Sequence, residues 1–314
     1  MTPPASASAA ANAVRIVPFG TESPDLSVVV VTYNVRDLLE ACLASFCASA
    51  GPLTVEVCVV DNASIDGSAD LVRARFPQAA LIGCATNRGY AYANNLALRQ
   101  ARGRHVLLLN PDTVLPPKAL RTLVGILDGD PTLGAVGPKL VRPDGSLDLA
   151  CRRSFPTPEI ALYRMLGLSH RCPRSRRFAR YNLTYRDPDQ PAEVDAVVGA
   201  CMAIRGAALR QVGLLDERFF MYGEDLDLAY RLKQAGWRVR YDPSVVVLHM
   251  KGASSRQASL RARRAFFAAM LRFHRKHYWH QHSSLVNVLV VTGVALWGAL
   301  SLARIAATRV LRRR

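Results

Sequence analysis

Asp112 and His249 are two residues able to hold a metal ion, and each follows an apolar run typical of a buried strand. Asp112 comes shortly after Val106–Leu109, and His249 directly follows Val245–Leu248. Carboxylate oxygen and imidazole nitrogen form a mixed ligand set for a divalent cation, which would bridge diphosphate oxygens and stabilise a leaving group. The alternatives are that Asp112 opens the helix after Pro116-Pro117 and that His249 is a hydrogen-bonded core residue.

A second acidic site, Glu224 and Asp225, opens a predicted helix directly after the aromatic segment Phe219–Gly223. A carboxylate beside apolar aromatic rings has its proton affinity raised, which suits a general base. Carboxylates also occur in the first turn of a helix because they interact favourably with the helix dipole, and that is the alternative. The pair is therefore a candidate for the group that takes a proton from a substrate hydroxyl.

The elements that must position these side chains alternate between strand and helix patterns from residue 26 onward. Strand patterns occupy Leu26–Asn34, Val55–Val60, Ala80–Ile82 and Val106–Leu109, and helical spacing occupies Val35–Cys47, Gly67–Phe76 and Tyr90–Ala101. This order predicts an α/β protein with a parallel, doubly wound sheet that binds its ligand at the carboxyl ends of the strands. Polar loops follow the four strands at Thr32-Tyr33-Asn34, Asp61-Asn62, Asn87-Arg88-Gly89 and Asn110-Pro111-Asp112.

Four polar loops at one sheet edge predict a crevice for a nucleotide diphosphate. The Asp61 carboxylate is placed to accept a hydrogen bond from a base N–H or a ribose hydroxyl, as acidic residues do in dinucleotide folds. The alternative is a local role, in which Asn62 or Ser64 caps the following helix. Further along, Pro156–Pro191 is basic, aromatic and rich in turn residues, and we expect it to lie near the site or a membrane.

The last quarter of the chain is strongly basic and contains one long apolar segment. The formal net charge is +17, and after Pro243 there are thirteen Lys or Arg and no Asp or Glu. Leu285–Ala303 carries no charge over 19 residues, which as a helix is about 28 Å and close to a bilayer core. Both nucleic acid and an anionic membrane attract such a tail, and the apolar segment favours the membrane.

Three arrangements of this apolar segment are open: a span, a helix in the membrane interface, and a core helix of an oligomer. A span would export Arg304, Arg309 and the arginines after them, against the positive-inside tendency, whereas an interfacial helix keeps them on the cytosolic leaflet. We therefore expect residues 256–314 to form a membrane-associating tail, peripheral or monotopic, on the cytoplasmic face of the inner membrane. Residues 1–25 lack a secretory-signal pattern and are predicted to be a disordered leader.

Six motifs, taken as an ordered set, resemble the family 2 glycosyltransferases and, within them, the bacterial rhamnosyltransferase-type branch that builds cell-surface polysaccharides. They are TYN (Thr32–Asn34), VDNASIDGS (Val60–Ser68), NRGYAYANN (Asn87–Asn95), LLLNPDT (Leu107–Thr113), GACMAIR (Gly199–Arg205) and FFMYGEDLDLAYR (Phe219–Arg231). The resemblance covers residues 26–255. It implies a GT-A fold, with a Rossmann-like, mostly parallel sheet flanked by helices, and a reaction that inverts the anomeric centre.

The resemblance also implies roles for individual residues. Asp225 would be the catalytic base. Asp112 would bind Mg²⁺ or Mn²⁺ as part of a DxD-type motif whose first acidic position is here Asn110, with His249 as a further ligand. The donor nucleotide would be held by Thr32, Asn34, Asp61 and Asn87. The region that closes over donor and acceptor would include Gly199, Ala200 and Glu224.

Two observations bear on the acceptor and the product. Processive synthases of this family carry a QxxRW motif and several spanning helices, whereas no glutamine here starts such a motif and one apolar segment exists. We therefore expect transfer of a single sugar, or very few, to a lipid-linked saccharide, with no nucleic acid as partner. By resemblance the leading donor is dTDP-rhamnose, and UDP-hexoses, UDP-N-acetylhexosamines and a furanose donor are alternatives.

Two other functions compete with this interpretation. A sugar-1-phosphate nucleotidyltransferase needs a glycine-rich, basic loop after the first strand, where this chain has Tyr33-Asn34-Val35-Arg36-Asp37. A non-catalytic, membrane-associated adaptor of the same fold would lack the acidic pair, which is present as Glu224 and Asp225. Release of a nucleoside diphosphate from a nucleotide sugar distinguishes a glycosyltransferase from both.

Overall fold

A single curled sheet organises the mixed α/β fold, in a computed structural model that describes residues 14–250 and 259–311. Within these ranges the sheet runs in the order β1-β3-β2-β5-β9-β7-β10-β6, with β4 beside β3 and β8 beside β10. All pairs among β1 to β5 are parallel, as is β7 with β10, whereas β9 is antiparallel to β5 and β7. The strands are β1 Arg15–Ile16, β2 Leu26–Thr32, β3 Thr54–Asp61, β4 Ala80–Gly83, β5 His105–Leu109, β6 Thr113–Val114, β7 Leu133–Val141, β8 Ala192–Glu193, β9 Cys201–Arg205 and β10 Arg238–His249.

Helices cover the sheet, and the first half alternates strand and helix as the sequence predicts. Every residue of β2 is buried, which requires cover on both faces of the sheet. A mostly parallel sheet flanked by helices is confirmed. The helices are α1 Arg36–Ser49, α2 Ser68–Arg75, α3 Tyr90–Leu98, α4 Ala119–Gly129, α5 Pro158–Met165, α6 Leu168–Arg171, α7 Gly206–Val212, α8 Glu224–Gln234, α9 Ser259–His277 and α10 Ser284–Leu311.

Residues 14–25 form part of this fold, so the prediction of a disordered leader is wrong for them. Strand β1 pairs with β3, Val17 is buried, and the Gly20 N–H donates to Glu56 Oε2 at 2.7 Å. The open edge of β3 and the buried Glu56 carboxylate supply hydrogen-bond partners that the composition of the segment does not reveal. Residues 1–13 lie outside the described residues.

The C-terminal tail begins with a helix that packs directly on α8. A second apolar cluster, called here the tail cluster, joins Phe219 and Leu226 of the α8 region to Ala269 and Phe273 of α9. The predicted boundary between catalytic domain and tail, at residue 255, falls outside the described residues. The tail helix α9 therefore shares a core with the helix that carries the acidic pair.

Ion pairs reinforce the contact between α8 and α9. Asp227 is fully buried and lies 2.9 Å from Arg231 Nε, 2.6 Å from Lys276 Nζ and 2.7 Å from His277 Nε2. Arg231 belongs to α8, and the other two belong to α9. A buried carboxylate is tolerated only when it is paired, and the two contacts with Lys276 and His277 fix α9 on α8.

The last helix, α10, packs along α9 by one face and exposes another. Gly298 lies against Phe267, and the buried Asn287 lies 2.9 Å from His274 Nε2. Among the described residues, Ser284–Ala303 is the one segment long and apolar enough to cross a bilayer, by length and composition only. A stripe of exposed leucines runs along the outer face at Leu285, Leu289, Leu296 and Leu300.

Removing the buried Asp227 carboxylate should destabilise the fold strongly. Asp227→Ala removes the buried carboxylate that pairs with Arg231, Lys276 and His277, and breaking a buried pair lowers the free energy of unfolding by about 3–5 kcal/mol. Asp70→Ala, which removes an exposed pair with Arg73, is the control and should cost about 1 kcal/mol or less. Urea unfolding of both variants measures this difference, and similar small losses would contradict the role of Asp227.

Candidate active site

The polar loops meet at one cleft of about 970 Å³, at the carboxyl ends of β2 to β5. This is within the range of small-molecule sites. Eight of the ten predicted site residues line it, and Asn34 and Asp61 do not. The eight are Thr32, Asn87, Asp112, Gly199, Ala200, Glu224, Asp225 and His249.

Asn34 and Asp61 hold the neighbouring loop together. The Asn34 N–H donates to Ser64 Oγ at 3.0 Å, and Asp61 Oδ1 accepts from the Ser64 N–H at 3.1 Å. The adjacent Asn62 lines the cleft, and its Nδ2 donates to Asn87 Oδ1 at 3.1 Å. The observed contacts of Asp61 are thus local ones, and a nucleotide contact by Asn34 or Asp61 stays a prediction.

Asp225 is buried at the cleft and held in one orientation. Its Oδ2 accepts from Arg153 Nη2 at 2.8 Å and from the Gly199 N–H at 3.1 Å. Its Oδ1 accepts from the Leu226 N–H at 2.7 Å, and a carboxylate oxygen has a second acceptor position. Arg153 is itself buried and also donates to the Val197 carbonyl at 2.8 Å. The carboxylate is therefore fixed on one side and retains an acceptor position for a substrate hydroxyl.

Gly89 and Tyr90 connect the loop after β4 to the aromatic segment before α8. A Cβ at Gly89, where φ is +98°, would lie 2.3 Å from the Phe220 carbonyl oxygen, so a larger residue does not fit. The Tyr90 N–H donates to that carbonyl at 2.7 Å, and the Tyr90 hydroxyl donates to the Gly199 carbonyl at 3.0 Å. Tyr90 thus connects the predicted nucleotide loop to the backbone that holds Asp225.

Glu224 differs from Asp225 in forming no ion pair among the described residues. Burial, and then the neighbouring Asp225 carboxylate, raise the pKa of Glu224 to about 8. Its Oε2 is buried and finds no hydrogen-bond partner among the described residues. The raised pKa favours the protonated form of Glu224 beside Asp225, an arrangement that resembles the pairs of carboxyl groups that take different roles in other enzymes.

Asp112 and His249 lie side by side because β6 pairs with the end of β10, where His249 is opposite Thr113. His249 Nε2 lies 3.3 Å from Asp112 Oδ1, and Nδ1 lies 2.9 Å from Asp148 Oδ2. Burial acts to lower the pKa of His249. Hydrogen bonding to Asp112 and Asp148 outweighs this effect and raises the pKa to about 9. A carboxylate on Nδ1 is the arrangement that orients metal-binding histidines in many proteins.

The predicted ligands Asp112 and His249 suit a metal ion that binds together with the substrate diphosphate better than a metal ion that the protein holds alone. Within the described residues, no group of three or more His, Cys, Asp or Glu side chains is arranged to hold a metal. Asn110 Oδ1 is buried at the same edge without a hydrogen-bond partner among these residues. Mg²⁺ is commonly held by one or two protein carboxylates, with water and substrate phosphates completing its shell. Asp112 and His249 are compatible with that mode.

Arg153 and Asp148 are site residues that sequence reasoning missed. Arg153 is 72 positions from its partner Asp225, and Asp148 is 101 positions from His249. The one sequence signal near them is the Pro143-Asp144-Gly145 turn, which predicts a hairpin. That hairpin is present, with Val141 bridged to Leu147, and it brings Asp148 to the cleft, whereas Arg153 is held there by a backbone bridge to Ala196.

Known proteins are similar to this chain in sequence and in fold. The chain matches the family model described as glycosyl transferase family 2 over residues 27–213, and the one described as glycosyl transferase family group 2 over residues 167–311. It is 34% identical over 241 residues to the N-acetylglucosaminyl-diphospho-decaprenol L-rhamnosyltransferase of Mycobacterium tuberculosis, which covers 73% of this chain and 77% of that protein. The chain belongs to glycosyltransferase family 2.

Other relatives agree with this assignment. A low-salt glycan biosynthesis hexosyltransferase of Haloferax volcanii is 27% identical over 230 residues, which cover 72% of this chain and 67% of that protein. The mannosyltransferase PcManGT of Pyrobaculum calidifontis, solved with GDP-Man and Mn²⁺, has a TM-score of 0.55 at 23% identity and covers 94% of this chain and 83% of that one. The predicted family, GT-A fold and enzyme class are confirmed, and the nucleotidyltransferase alternative is excluded.

The raised pKa of Glu224 predicts a pH effect on stability. A carboxyl whose pKa rises on folding from 4.5 to about 8 stabilises the fold below the unfolded value, and this contribution is lost as the pH rises through about 8. Glu224→Gln stays neutral, so its melting temperature should fall less between about pH 5 and about pH 8.5 than that of the unsubstituted protein. Thermal unfolding at both pH values measures this, with Glu22→Gln, at an exposed position, as the control. Parallel pH profiles for all three proteins would contradict the raised pKa.

Proposed function

We propose that this enzyme transfers a sugar, with rhamnose as the leading candidate, from a nucleotide-diphosphate donor to a hydroxyl of a lipid-linked saccharide in cell-surface polysaccharide synthesis. The transfer inverts the anomeric centre of the sugar. The observation that carries the proposal is Asp225, fixed by Arg153 and Gly199 where the polar loops converge. The name of the Mycobacterium relative supports the sugar and the acceptor class, since it specifies an L-rhamnosyl group and a diphospho-decaprenol.

In the proposed transfer, Asp225 accepts the proton of the acceptor hydroxyl. The acceptor oxygen bonds to the anomeric carbon from the face opposite the diphosphate, and its proton passes to Asp225. The bond from the anomeric carbon to the diphosphate oxygen breaks, and the nucleoside diphosphate leaves with that electron pair. Arg153 and the Gly199 N–H keep the carboxylate aimed at the hydroxyl throughout. Glu224, being neutral, adds no negative charge beside the departing diphosphate.

Thr32, Asn87 and the neighbouring Asn62 form the part of the cleft assigned to the nucleotide. Thr32 Oγ1 is buried and has no hydrogen-bond partner among the described residues, so it is available to a ligand. Asp112 and His249 would hold Mg²⁺ or Mn²⁺, and the bound ion would supply positive charge that stabilises the leaving diphosphate. Asp148 supports this assignment because it fixes the orientation of the His249 ring.

We assign the tail to the cytoplasmic face of the membrane, as a monotopic segment that enters one leaflet without crossing the bilayer. One face of α10 is packed on α9 through the buried Asn287 and Gly298, and a span would have to break those contacts. The leucine stripe from Leu285 to Leu300 faces outward, which suits a helix lying in the membrane interface. The thirteen Lys or Arg after Pro243 add attraction to anionic lipid headgroups.

Replacing Asp225 with asparagine should abolish most of the transfer. Asparagine fills the same space without accepting the proton, so kcat should fall by about 10²–10⁴-fold. Release of nucleoside diphosphate with donor and acceptor present measures the rate, and a donor-induced shift in melting temperature shows that the variant is folded. Asp70→Asn, at an exposed carboxylate on α2, is the control and should keep full activity. Near-normal transfer by folded Asp225→Asn would contradict the proposal.

A panel of nucleotide sugars should identify the donor and the metal requirement. We expect dTDP-rhamnose to give the largest melting shift and the fastest nucleoside diphosphate release, ahead of UDP-hexoses, UDP-N-acetylhexosamines and UDP-furanoses. EDTA should abolish release, and Mn²⁺ or Mg²⁺ should restore it. Undiminished release in EDTA would exclude a metal role for Asp112 and His249, and a stronger response to another donor would exclude rhamnose.

A further inference from the structure

The lining of the cleft extends beyond the sheet, and this part, called here the compartment, includes several apolar side chains. Its walls come from two elements outside the sheet: the α5–α6 segment on one side and the tail helices on the other. Ala161 of α5 and Met270 and Trp297 of the tail line this part. The tail cluster lies behind it. A nucleotide sugar has no long apolar portion, so this compartment needs another occupant.

Helices α5 and α10 meet beside this compartment. Met165 of α5 reaches α10 at Gly293, where an added Cβ would lie 3.4 Å from the Met165 methyl. On α5, Ala161 and Arg164 line the cleft, whereas Leu162 and the following Leu166 are 50% and 58% exposed. Met165 therefore lies at the border between the cleft face and an exposed leucine face of α5.

Helix α10 has the same arrangement at this border. Trp297 lines the cleft, whereas Leu296 and Leu300 are 61% and 62% exposed. At 100° per residue, Gly293 lies between Trp297 on one side and these two leucines on the other. The outer leucines of α5 and α10 thus flank one seam, defined here as the contact of Met165 with Gly293. Ala161 of α5 and Trp297 of α10, on the other side of this contact from the exposed leucines, line the cleft.

The charges inside the compartment complement a diphosphate. Among the described residues that α5, α6, α9 and α10 contribute to the cleft, four are basic and none is acidic. Arg164 and His170 come from the α5–α6 side, and Arg261 and Arg263 come from α9. A ligand with a diphosphate between a sugar and a long apolar chain would match the surfaces found here: the Asp225 carboxylate, the basic lining, the Met165–Gly293 seam and the exposed leucines.

We propose that the seam between α5 and α10 is the site where the polyisoprenoid chain of the acceptor enters the cleft. The chain passes between Met165 and Gly293, its outer part stays among the exposed leucines, and its diphosphate lies by Arg164 and His170. This inference rests on the proposed function, which supplies a lipid-linked acceptor. It adds α5, an element outside the predicted tail, to the lipid-facing surface.

Filling the seam tests this path. Gly293→Leu places a side chain against the flexible end of Met165, and leucine is compatible with a helix interior. KM for an acceptor with a full polyprenyl chain should rise about tenfold or more, which corresponds to about 1.4 kcal/mol of lost binding. KM for the same headgroup on a short, water-soluble geranyl chain, and KM for the donor, should stay unchanged. Gly125→Leu, at an exposed glycine of α4 with open space around it, is the matched control and should change none of these.

A photoreactive polyprenyl diphosphate gives a second readout on the unsubstituted, full-length protein. Labelling should map to peptides of α5 and α10, and labelling confined to other helices would overturn the inference. A selective rise in KM for the long-chain acceptor supports it, and no such selectivity overturns it. If Gly293→Leu loses activity with both acceptors, the photolabel decides. Failure of the unsubstituted protein to transfer to either acceptor would instead refute the proposed function, and the seam with it.

Discussion

Three buried carboxylates in the first turn of α8 are the constraint on which the rest of the site depends. Glu224, Asp225 and Asp227 are each at most 6% exposed, and carboxylates so close together cannot all be charged without cations. Arg153, from the hairpin region, pairs with Asp225, and Lys276 and His277, from the tail, lie against Asp227. Two segments remote in sequence are thereby held on one helix turn, and they become the walls of the cleft.

Glu224 is the member of this turn that has no cationic partner, and its neutrality has a consequence for catalysis. Two adjacent carboxylates would repel a diphosphate and would compete for one proton. The raised pKa of Glu224 favours its neutral form, and Arg153 pairs with Asp225, so both effects reduce the negative charge of this turn. The negative charge that develops on the leaving diphosphate therefore meets little repulsion from α8.

The sequence predicted the half of the site that local patterns determine. Strands β2 to β5 follow from uninterrupted apolar runs, and the alternating order requires their polar loops to meet, which places Thr32, Asn87 and Asp112 at one cleft. Arg153 and Asp148 carry no local signal, because hydrogen bonds to Asp225 and His249 depend on where a hairpin folds back. Asn34 and Asp61 were assigned to the nucleotide by loop position and by family resemblance, and neither can distinguish a contact with Ser64 from one with a ligand.

The composition of the tail predicted a membrane partner, but it did not predict that the tail packs against the helix that carries Asp225. Its basic and apolar residues indicate a membrane, whereas Phe273 and Asn287 are buried inside the protein and Lys276 pairs with the buried Asp227. Because α9 shares a core with α8, any surface that α10 presents to a bilayer has a fixed position relative to Asp225. An acceptor anchored in the bilayer can move only in that plane, so its hydroxyl reaches the base only if the enzyme holds the base at a set height. A rigidly docked tail meets that requirement, and a tail joined by a free linker would not.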